Sequence, residues 1–171
     1  MDVDFLLIQR MRMGDEKAID QFIEKYYPKI YKYCRMHMYD TYISEDMTQE
    51  TFIRFFDSLG KYQHWGKAAN YLYVIASNVC KDFYRKTKEI PLDAFGEEHV
   101  CFEVQTDLRL DIQSAFDKLP DDIREVSILF FIQEQKQKDI AKIMGIGLPL
   151  VKYRISRARE ILTEFLREED I

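Results

Sequence analysis

Apolar residues recur every third or fourth position over most of the chain, a spacing that is typical of amphipathic helices. Near the C terminus, for example, Val151, Ile155, Ala158 and Leu162 fall on one face of a single helix. No alternating run of β-branched residues is long enough to predict a sheet. The pattern predicts an all-α protein with helices at about 3–12, 15–37 (interrupted near Pro28), 44–59, 68–87, 108–118, 121–133, 136–144 and 148–168. Asp15 and Ser44 are predicted N-caps.

The helical pattern stops once, between residues 87 and 107. From Glu89 to Asp107 the chain contains six acidic residues and no Lys or Arg, together with Pro91 and Gly96. This composition predicts an acidic flexible linker over 88–107. The chain of 171 residues therefore divides into two small helical domains, 1–87 and 108–171.

The segment from Gln137 to Ile155 has the spacing of a helix-turn-helix. Ile140, Val151 and Ile155 fall where two short crossing helices share a core, and Gly145 lies at the turn, where glycine adopts a left-handed backbone at least cost. The net charge of the chain is −5, but residues 136–160 contain seven Lys or Arg against two acids. This local excess of +5 favours contact with DNA, although a helical hairpin with a solvated basic face has the same pattern.

The predicted helix 44–59 combines acidic side chains with one apolar residue on its outer face. Asp46, Gln49, Glu50 and Asp57 surround Ile53, whereas Met47, Phe52, Phe55, Phe56 and Leu59 lie broadly opposite. Either this is an ordinary solvated face, or Ile53 is an apolar anchor between polar contacts to another protein.

The predicted helix 68–87 has a polar and basic strip opposite its core face of Leu72, Ile75, Ala76, Val79 and Phe83. The strip consists of Asn70, Val74, Asn78, Lys81 and Arg85, with Tyr73 and Tyr84 at its rim. Tyr62, His64 and Trp65 precede it in a predicted loop. Amides, cations and aromatic rings suit single-stranded DNA, but these aromatic residues could instead pack in the core.

Other functional classes find little support in the sequence. Three widely spaced cysteines form no CxxC pair, which fits a reducing compartment, and Cys34 with His37 lacks a second pair of metal ligands. No apolar run is long enough for a membrane span, and the N terminus lacks the basic start of a signal peptide. We expect a cytoplasmic protein without a metal, a cofactor, membrane insertion or catalytic activity.

Three of these segments, in this order, resemble sigma-70 family RNA polymerase sigma factors of the extracytoplasmic-function group. SEDMTQETFIRFF is similar to region 2.2, NYLYVIASNVCKDFYRK to regions 2.3–2.4, and LPDDIREVSILFF followed by KDIAKIMGIGLPLVKYRISRAREIL to region 4. The resemblance implies a region 2-like bundle and a region 4-like helix-turn-helix. It also implies a role in promoter recognition, DNA opening and transcription initiation for a stress- or signal-responsive regulon.

The resemblance also implies partners. These are the β′ and β subunits of the bacterial RNA polymerase core, promoter DNA and an anti-sigma factor. The implied core polymerase-binding residues are Asp46, Gln49 and Glu50, and Ile53 is added to them as the apolar residue at the centre of the same helix face. The implied −10 DNA-binding residues are Tyr62, Asn78, Lys81 and Arg85, and the implied −35 DNA-binding residues are Lys152, Tyr153, Arg154 and Arg157. The linker matches a segment that threads toward the polymerase active-site channel.

The sequence departs from the family pattern at three positions. Tyr71 replaces a usual Trp, and Pro149 and Leu150 stand at the start of the recognition helix, where Thr is common at position 150. Two alternatives to an active sigma factor remain open on the sequence. One is a dimeric helix-turn-helix regulator that binds duplex DNA alone, and the other is a sigma-like protein that binds core polymerase or an anti-sigma factor without initiating transcription.

Overall fold

The computed structural model describes residues 2–89 and 107–169, so the predicted linker lies almost wholly outside the described residues. Regular structure in these ranges is helical, as the sequence predicts. The chain divides into two compact units, Met1–His99 and Val100–Ile171. The helices are α1 (Val3–Arg12), α2 (Glu16–His37), α3 (Thr41–Ser58), α4 (Ala68–Glu89), α5 (Asp107–Asp117), α6 (Asp121–Ser127), α7 (Gln137–Met144) and α8 (Leu148–Glu169). Residues 88, 89 and 107, assigned to the linker by prediction, are helical.

Helix α2 is unbroken, so the predicted interruption near Pro28 is wrong. A proline inside a helix costs about 3 kcal/mol because it removes a backbone hydrogen bond and crowds the preceding turn. The cost is offset here by burial on both sides of Pro28, where Phe22, Tyr26, Ile30 and Tyr33 are buried. The predicted N-cap at Asp15 is confirmed, since its carboxylate accepts hydrogen bonds from the Lys17 and Ala18 amides.

The predicted N-cap at Ser44 is wrong, because α3 begins three residues earlier. The carboxylate of Asp40 accepts a hydrogen bond from the Ile43 amide at 2.9 Å and caps the helix. Ser44 is buried in the first turn, and its hydroxyl donates to the Asp40 carbonyl at 2.8 Å. Asp and Ser are both common N-caps, and Asp40 is the cap here because it directly precedes Thr41, the first residue of α3.

Aromatic rings from α2 and α3 form the centre of the N-terminal unit. Phe22 stacks on Phe55 with ring centroids 4.7 Å apart and meets Phe52 edge-on at 6.4 Å. Helix α4 packs against α2 and α3 through Leu72, Ile75, Ala76 and Val79, which are all buried as predicted.

The predicted position of Tyr73, at the rim of the polar and basic strip on α4, is wrong. Its ring is buried and lies 5.5 Å from Tyr33, because a tyrosine beside the core face fills the space between α4 and α2.

The C-terminal unit has the predicted helix-turn-helix. Ile140 of α7 and Val151, Ile155 and Ala158 of α8 are buried, and Gly145 ends α7 with a left-handed φ of 64°. The predicted helix 121–133 is α6 continued by a π-helical segment, Ile128–Ile132, rather than one α-helix. Within the described ranges, no helix is both long and apolar enough to cross a membrane.

Candidate protein and nucleic-acid interfaces

The acidic stripe, defined as Asp46, Gln49, Glu50, Ile53 and Asp57, lies on the outer face of α3. Its members are exposed except for Glu50, which is half-buried. Ile53 is 55% exposed, so the structure leaves an isoleucine in solvent between polar groups while Phe52 and Phe55 fill the core. An exposed apolar residue contributes little to the core of the fold, and polar groups around it are compatible with its use as an anchor in a protein contact.

The basic strip, defined as Asn78, Lys81 and Arg85, is exposed along α4. Asn70 and Val74, which the sequence placed on the same face, are half-buried. Tyr84 is 41% exposed beside the strip, and its hydroxyl donates to the His37 carbonyl. The strip therefore offers one amide and two cations to a ligand outside the helix bundle.

A chain of four alternating charges connects the acidic stripe with the basic strip. Arg54 lies 2.7 Å from the Glu50 carboxylate within α3 and 2.9 Å from the Asp82 carboxylate on α4. Asp82 in turn lies 3.3 Å from the Arg85 guanidinium. The hydrogen bond from Arg54 lowers the pKa of Asp82, and the hydrogen bonds to Glu50 and then Asp82 raise the pKa of Arg54.

Tyr62 belongs to the connection between α3 and α4, but it is buried rather than on an open surface. Its ring stacks on Tyr71 with centroids 4.9 Å apart, and its hydroxyl lies 3.0 Å from Nδ1 of His64. Only 9% of the residue is exposed, and burial raises the pKa of Tyr62 to about 12. Tyr71, which stands where the resemblance expects Trp, donates its hydroxyl proton to Ser58 at 3.1 Å.

The N-terminal segment anchors this connection. Arg12 of α1 donates to the Leu59 carbonyl at 3.1 Å and to the Tyr62 carbonyl. Nε2 of His64 lies 2.6 Å from the Asp2 carboxylate, and this hydrogen bond lowers the pKa of Asp2. The loop after α3 is thus held at its start and at His64 by residues more than forty positions away.

Trp65 is the most exposed large apolar residue among those described, with 81% of its surface in solvent. Its indole Nε1 donates to Gln63 at 3.3 Å, and Gly66 follows with a positive φ of 108°. The sequence left Trp65 undecided between core and DNA, and the structure places it outside the core. The neighbouring glycine was the signal that the segment turns outward here.

Three of the four residues predicted to contact duplex DNA are exposed on α8, namely Lys152, Tyr153 and Arg157. Arg157 also lies 2.6 Å from Glu160. The fourth, Arg154, is half-buried, and its guanidinium lies 3.3 Å from the Asp122 carboxylate on α6. Leu150 is 39% exposed at the start of the helix, next to exposed Pro149.

The two units match two family models. Residues 22–90 match sigma-70 region 2, and residues 109–162 match sigma-70 region 4. The chain is 32% identical to the ECF RNA polymerase sigma factor SigW of Bacillus subtilis, over 94% of this chain and 95% of that protein. It therefore belongs to the sigma-70 family, and within it to the ECF group of RNA polymerase sigma factors.

Solved structures share the fold. The structure of CnrH in complex with the cytosolic domain of CnrY matches with a TM-score of 0.79 at 23% identity, covering 98% of this chain and 99% of that one. The sigma factor RpoE of Bartonella quintana, in complex with the anti-sigma factor NepR, matches with a TM-score of 0.71 at 22% identity, covering 88% of this chain and 98% of that one.

Proposed function

We propose that this sigma factor binds core RNA polymerase through the acidic stripe and promoter DNA through two further surfaces, the basic strip with Trp65 and the outer face of α8. The single observation that supports this most is the position of Ile53. It is 55% exposed at the centre of the acidic stripe, where folding gives no reason for an isoleucine. A partner that covers it would gain apolar burial framed by contacts to Asp46, Gln49 and Glu50.

The −10 element is the proposed ligand of the basic strip. Lys81 and Arg85 are exposed cations that can contact backbone phosphates, and Asn78 offers an amide to a base edge. Trp65 offers an exposed ring on which an unstacked base can stack. Tyr62 is buried against Tyr71, so in this proposal it supports the connection that carries Trp65 and does not itself stack on a base.

The −35 element is the proposed ligand of α8. Lys152, Tyr153 and Arg157 are exposed and can contact phosphates or base edges in the major groove. Arg154 is proposed to contribute less charge to DNA than the other two cations, because only 15% of its side chain is exposed and its guanidinium faces Asp122 on α6. The exposed apolar Leu150 replaces a hydroxyl that could contact phosphate, so we expect fewer backbone contacts at the start of this helix.

The domain assignment forms part of the proposal. Residues 1–87 would bind core polymerase and the −10 element, 108–171 the −35 element, and 88–107 would connect them. An anti-sigma factor is a further proposed partner, because the RpoE relative was solved bound to one. The protein would act in the cytoplasm, where core polymerase is, and have no catalytic activity of its own, since a sigma factor directs the polymerase rather than doing chemistry.

Transcription with purified core polymerase tests the proposal. The full chain is expected to give promoter-dependent initiation on a subset of genomic fragments, while core polymerase alone gives none. A footprint by the chain on palindromic duplex DNA without polymerase would instead indicate a dimeric helix-turn-helix regulator. Binding to core polymerase without initiation on any fragment would contradict the proposal and indicate a non-initiating sigma-like protein.

A further inference from the structure

The four charges Glu50, Arg54, Asp82 and Arg85 form a continuous chain across the surface of α3 and α4. The separations are 2.7 Å from Glu50 to Arg54, 2.9 Å from Arg54 to Asp82 and 3.3 Å from Asp82 to Arg85. One end belongs to the acidic stripe and the other to the basic strip. The two middle members belong to neither surface, and they are about one-third exposed, at 35% and 33%.

In such a row, each inner charge is shared between two neighbours. Arg54 divides its donors between Glu50 and Asp82, with Nε bonded to the first and a terminal nitrogen to the second. Asp82 accepts from Arg54 with one oxygen and from Arg85 with the other. A cation brought to Glu50 weakens its hold on Arg54, which strengthens the pair between Arg54 and Asp82. Asp82 then holds Arg85 less tightly.

We propose that Arg54 and Asp82 are positioning residues that couple core polymerase docking at Glu50 to the release of Arg85 for DNA. In the unbound protein Asp82 holds part of the charge of Arg85, and docking shifts Asp82 toward Arg54. The inference rests on the proposed function, in which Glu50 contacts core polymerase and Arg85 contacts the −10 element. It adds that Arg54 and Asp82 are the residues that connect the two contacts.

The size of the coupling follows from exposure. Arg85 has 69% of its side chain in solvent, and the other three members have 33–40%. Solvent screens such pairs, and exposed pairs shift equilibria by about 1.5- to 5-fold. The coupling therefore tunes open-complex formation and does not act as an all-or-none switch.

A double-mutant cycle on open-complex formation tests this inference. Arg54→Met leaves Arg85 as the remaining partner of Asp82 within the four-charge chain, so Asp82 holds Arg85 more tightly. We therefore expect the equilibrium constant for open-complex formation with core polymerase to fall by about 1.5- to 5-fold. Asp82→Asn removes the hold on Arg85. Asp82→Asn is therefore expected to raise the equilibrium constant for open-complex formation. We expect this increase to be larger in the Arg54→Met protein than in the unmodified protein, by the same factor of about 1.5 to 5.

Arg10→Met is the matched control. This substitution also removes one positive charge and one surface ion pair, since Arg10 lies 2.8 Å from Asp15 with 45% of its side chain exposed. It lies on α1, outside the four-charge chain, and we expect no change in open-complex formation. The affinity for core polymerase is measured for every variant, and Arg54→Met is expected not to weaken it, because Glu50 is left available.

Three outcomes contradict the coupling. Equal gains from Asp82→Asn in both backgrounds would show that Arg54 and Asp82 act separately, as for a direct DNA contact or a purely structural role of Arg54. Weaker core affinity for Arg54→Met would locate its defect in docking. If Arg85→Ala leaves open-complex formation unchanged, the proposed −10 contact itself fails, and the coupling fails with it. If Arg85→Ala lowers open-complex formation as expected, but Asp82→Asn raises it equally in both backgrounds, the coupling is contradicted and the proposed −10 contact is not.

Discussion

The guanidinium of Arg154 lies 3.3 Å from the carboxylate of Asp122, so a residue of the predicted DNA-binding helix α8 is also a contact to α6. Only 15% of the Arg154 side chain is exposed, against 51% for Arg157. The two arginines lie three positions apart on the same helix, but they differ in what they contribute to the fold. Arg154 connects two helices, whereas Arg157 projects outward.

This difference predicts separable effects of two substitutions. Arg154→Ala is expected to lower the free energy of unfolding of the C-terminal unit by about 1–2 kcal/mol, because a buried aliphatic stem and an ion pair are lost together. Lys152→Ala is expected to leave stability within about 0.5 kcal/mol and to reduce the salt dependence of −35 duplex binding by about one phosphate contact. Thermal denaturation and binding of the polymerase complex at several salt concentrations measure the two quantities.

Asp122→Asn provides the control for Arg154. It removes the ion pair while keeping the arginine stem and freeing its charge, so DNA affinity is expected to stay equal or rise. An Arg154→Ala protein that keeps full stability and loses as much of the salt dependence as Lys152→Ala would contradict the assignment of Arg154 to the fold.

Trp65 gives a second prediction. Because 81% of the residue is exposed, Trp65→Ala is expected to change the free energy of unfolding by less than about 0.5 kcal/mol. Loss of a stacking ring should lower open-complex formation by about 10-fold, within the range of 1–3 kcal/mol for one stacked base. Trp65→Phe keeps a ring and should retain most of the function. Base-analogue fluorescence in the −10 element measures the effect, and equal open-complex formation by the Ala and Trp proteins would exclude Trp65 as a stacking platform.

How much of this was predictable depends on whether a residue has one favourable environment or two. Val151, Ile155 and Ala158 are apolar at helical spacing, so their burial followed from the sequence. Ser44 is predicted as an N-cap, but Asp40 caps α3, because the apolar pattern does not show that the helix begins at Thr41. Tyr73 and Trp65 each combine an apolar ring with a polar group, so either environment is favourable for them. Tyr73 is 1% exposed and Trp65 is 81% exposed, because the ring of Tyr73 packs against α2 and that of Trp65 does not.

Contacts between distant parts of the chain were beyond the sequence. Arg54 and Asp82 are separated by 28 positions, and each is an unremarkable charged residue in its own helix. Their ion pair depends on the rotation and spacing of α3 and α4, which the core packing sets. The same holds for Arg12 and the carbonyl of Leu59, 47 positions apart. The surfaces could therefore be predicted one helix at a time, but the connections between them could not.

The buried tyrosines predict a loss of stability at alkaline pH. Burial raises the pKa of Tyr62 to about 12, and burial is also the main cause of the raised pKa values of Tyr26 and Tyr73. In the unfolded chain a tyrosine ionises near about pH 10. The folded state thus keeps protons that the unfolded state loses, so the stability from these groups is full below that pH and falls as the pH rises toward 12.

Tyr62→Phe tests this pH dependence. Without this group, the free energy of unfolding should fall less steeply with rising pH. The slope should be shallower by up to about 1.4 kcal/mol per pH unit between the tyrosine pKa of the unfolded chain and that of folded Tyr62. Denaturant unfolding at pH values from neutral to strongly alkaline measures the slope, and tyrosinate absorbance follows ionisation in parallel. An unchanged slope for Tyr62→Phe, or ionisation of all tyrosines before unfolding, would contradict the buried position of this ring.

The most direct test of the account compares two double variants in two assays with core RNA polymerase. Asp46→Asn with Ile53→Ala alters the acidic stripe, and Lys81→Ala with Arg85→Ala alters the basic strip. We expect the first pair to weaken core binding by about tenfold or more, and the second to leave core affinity within about twofold while lowering open-complex formation about tenfold. Weaker core binding by the Lys81 and Arg85 variant, with core binding unaffected in the Asp46 and Ile53 variant, would contradict the assignment of the two surfaces to polymerase and DNA.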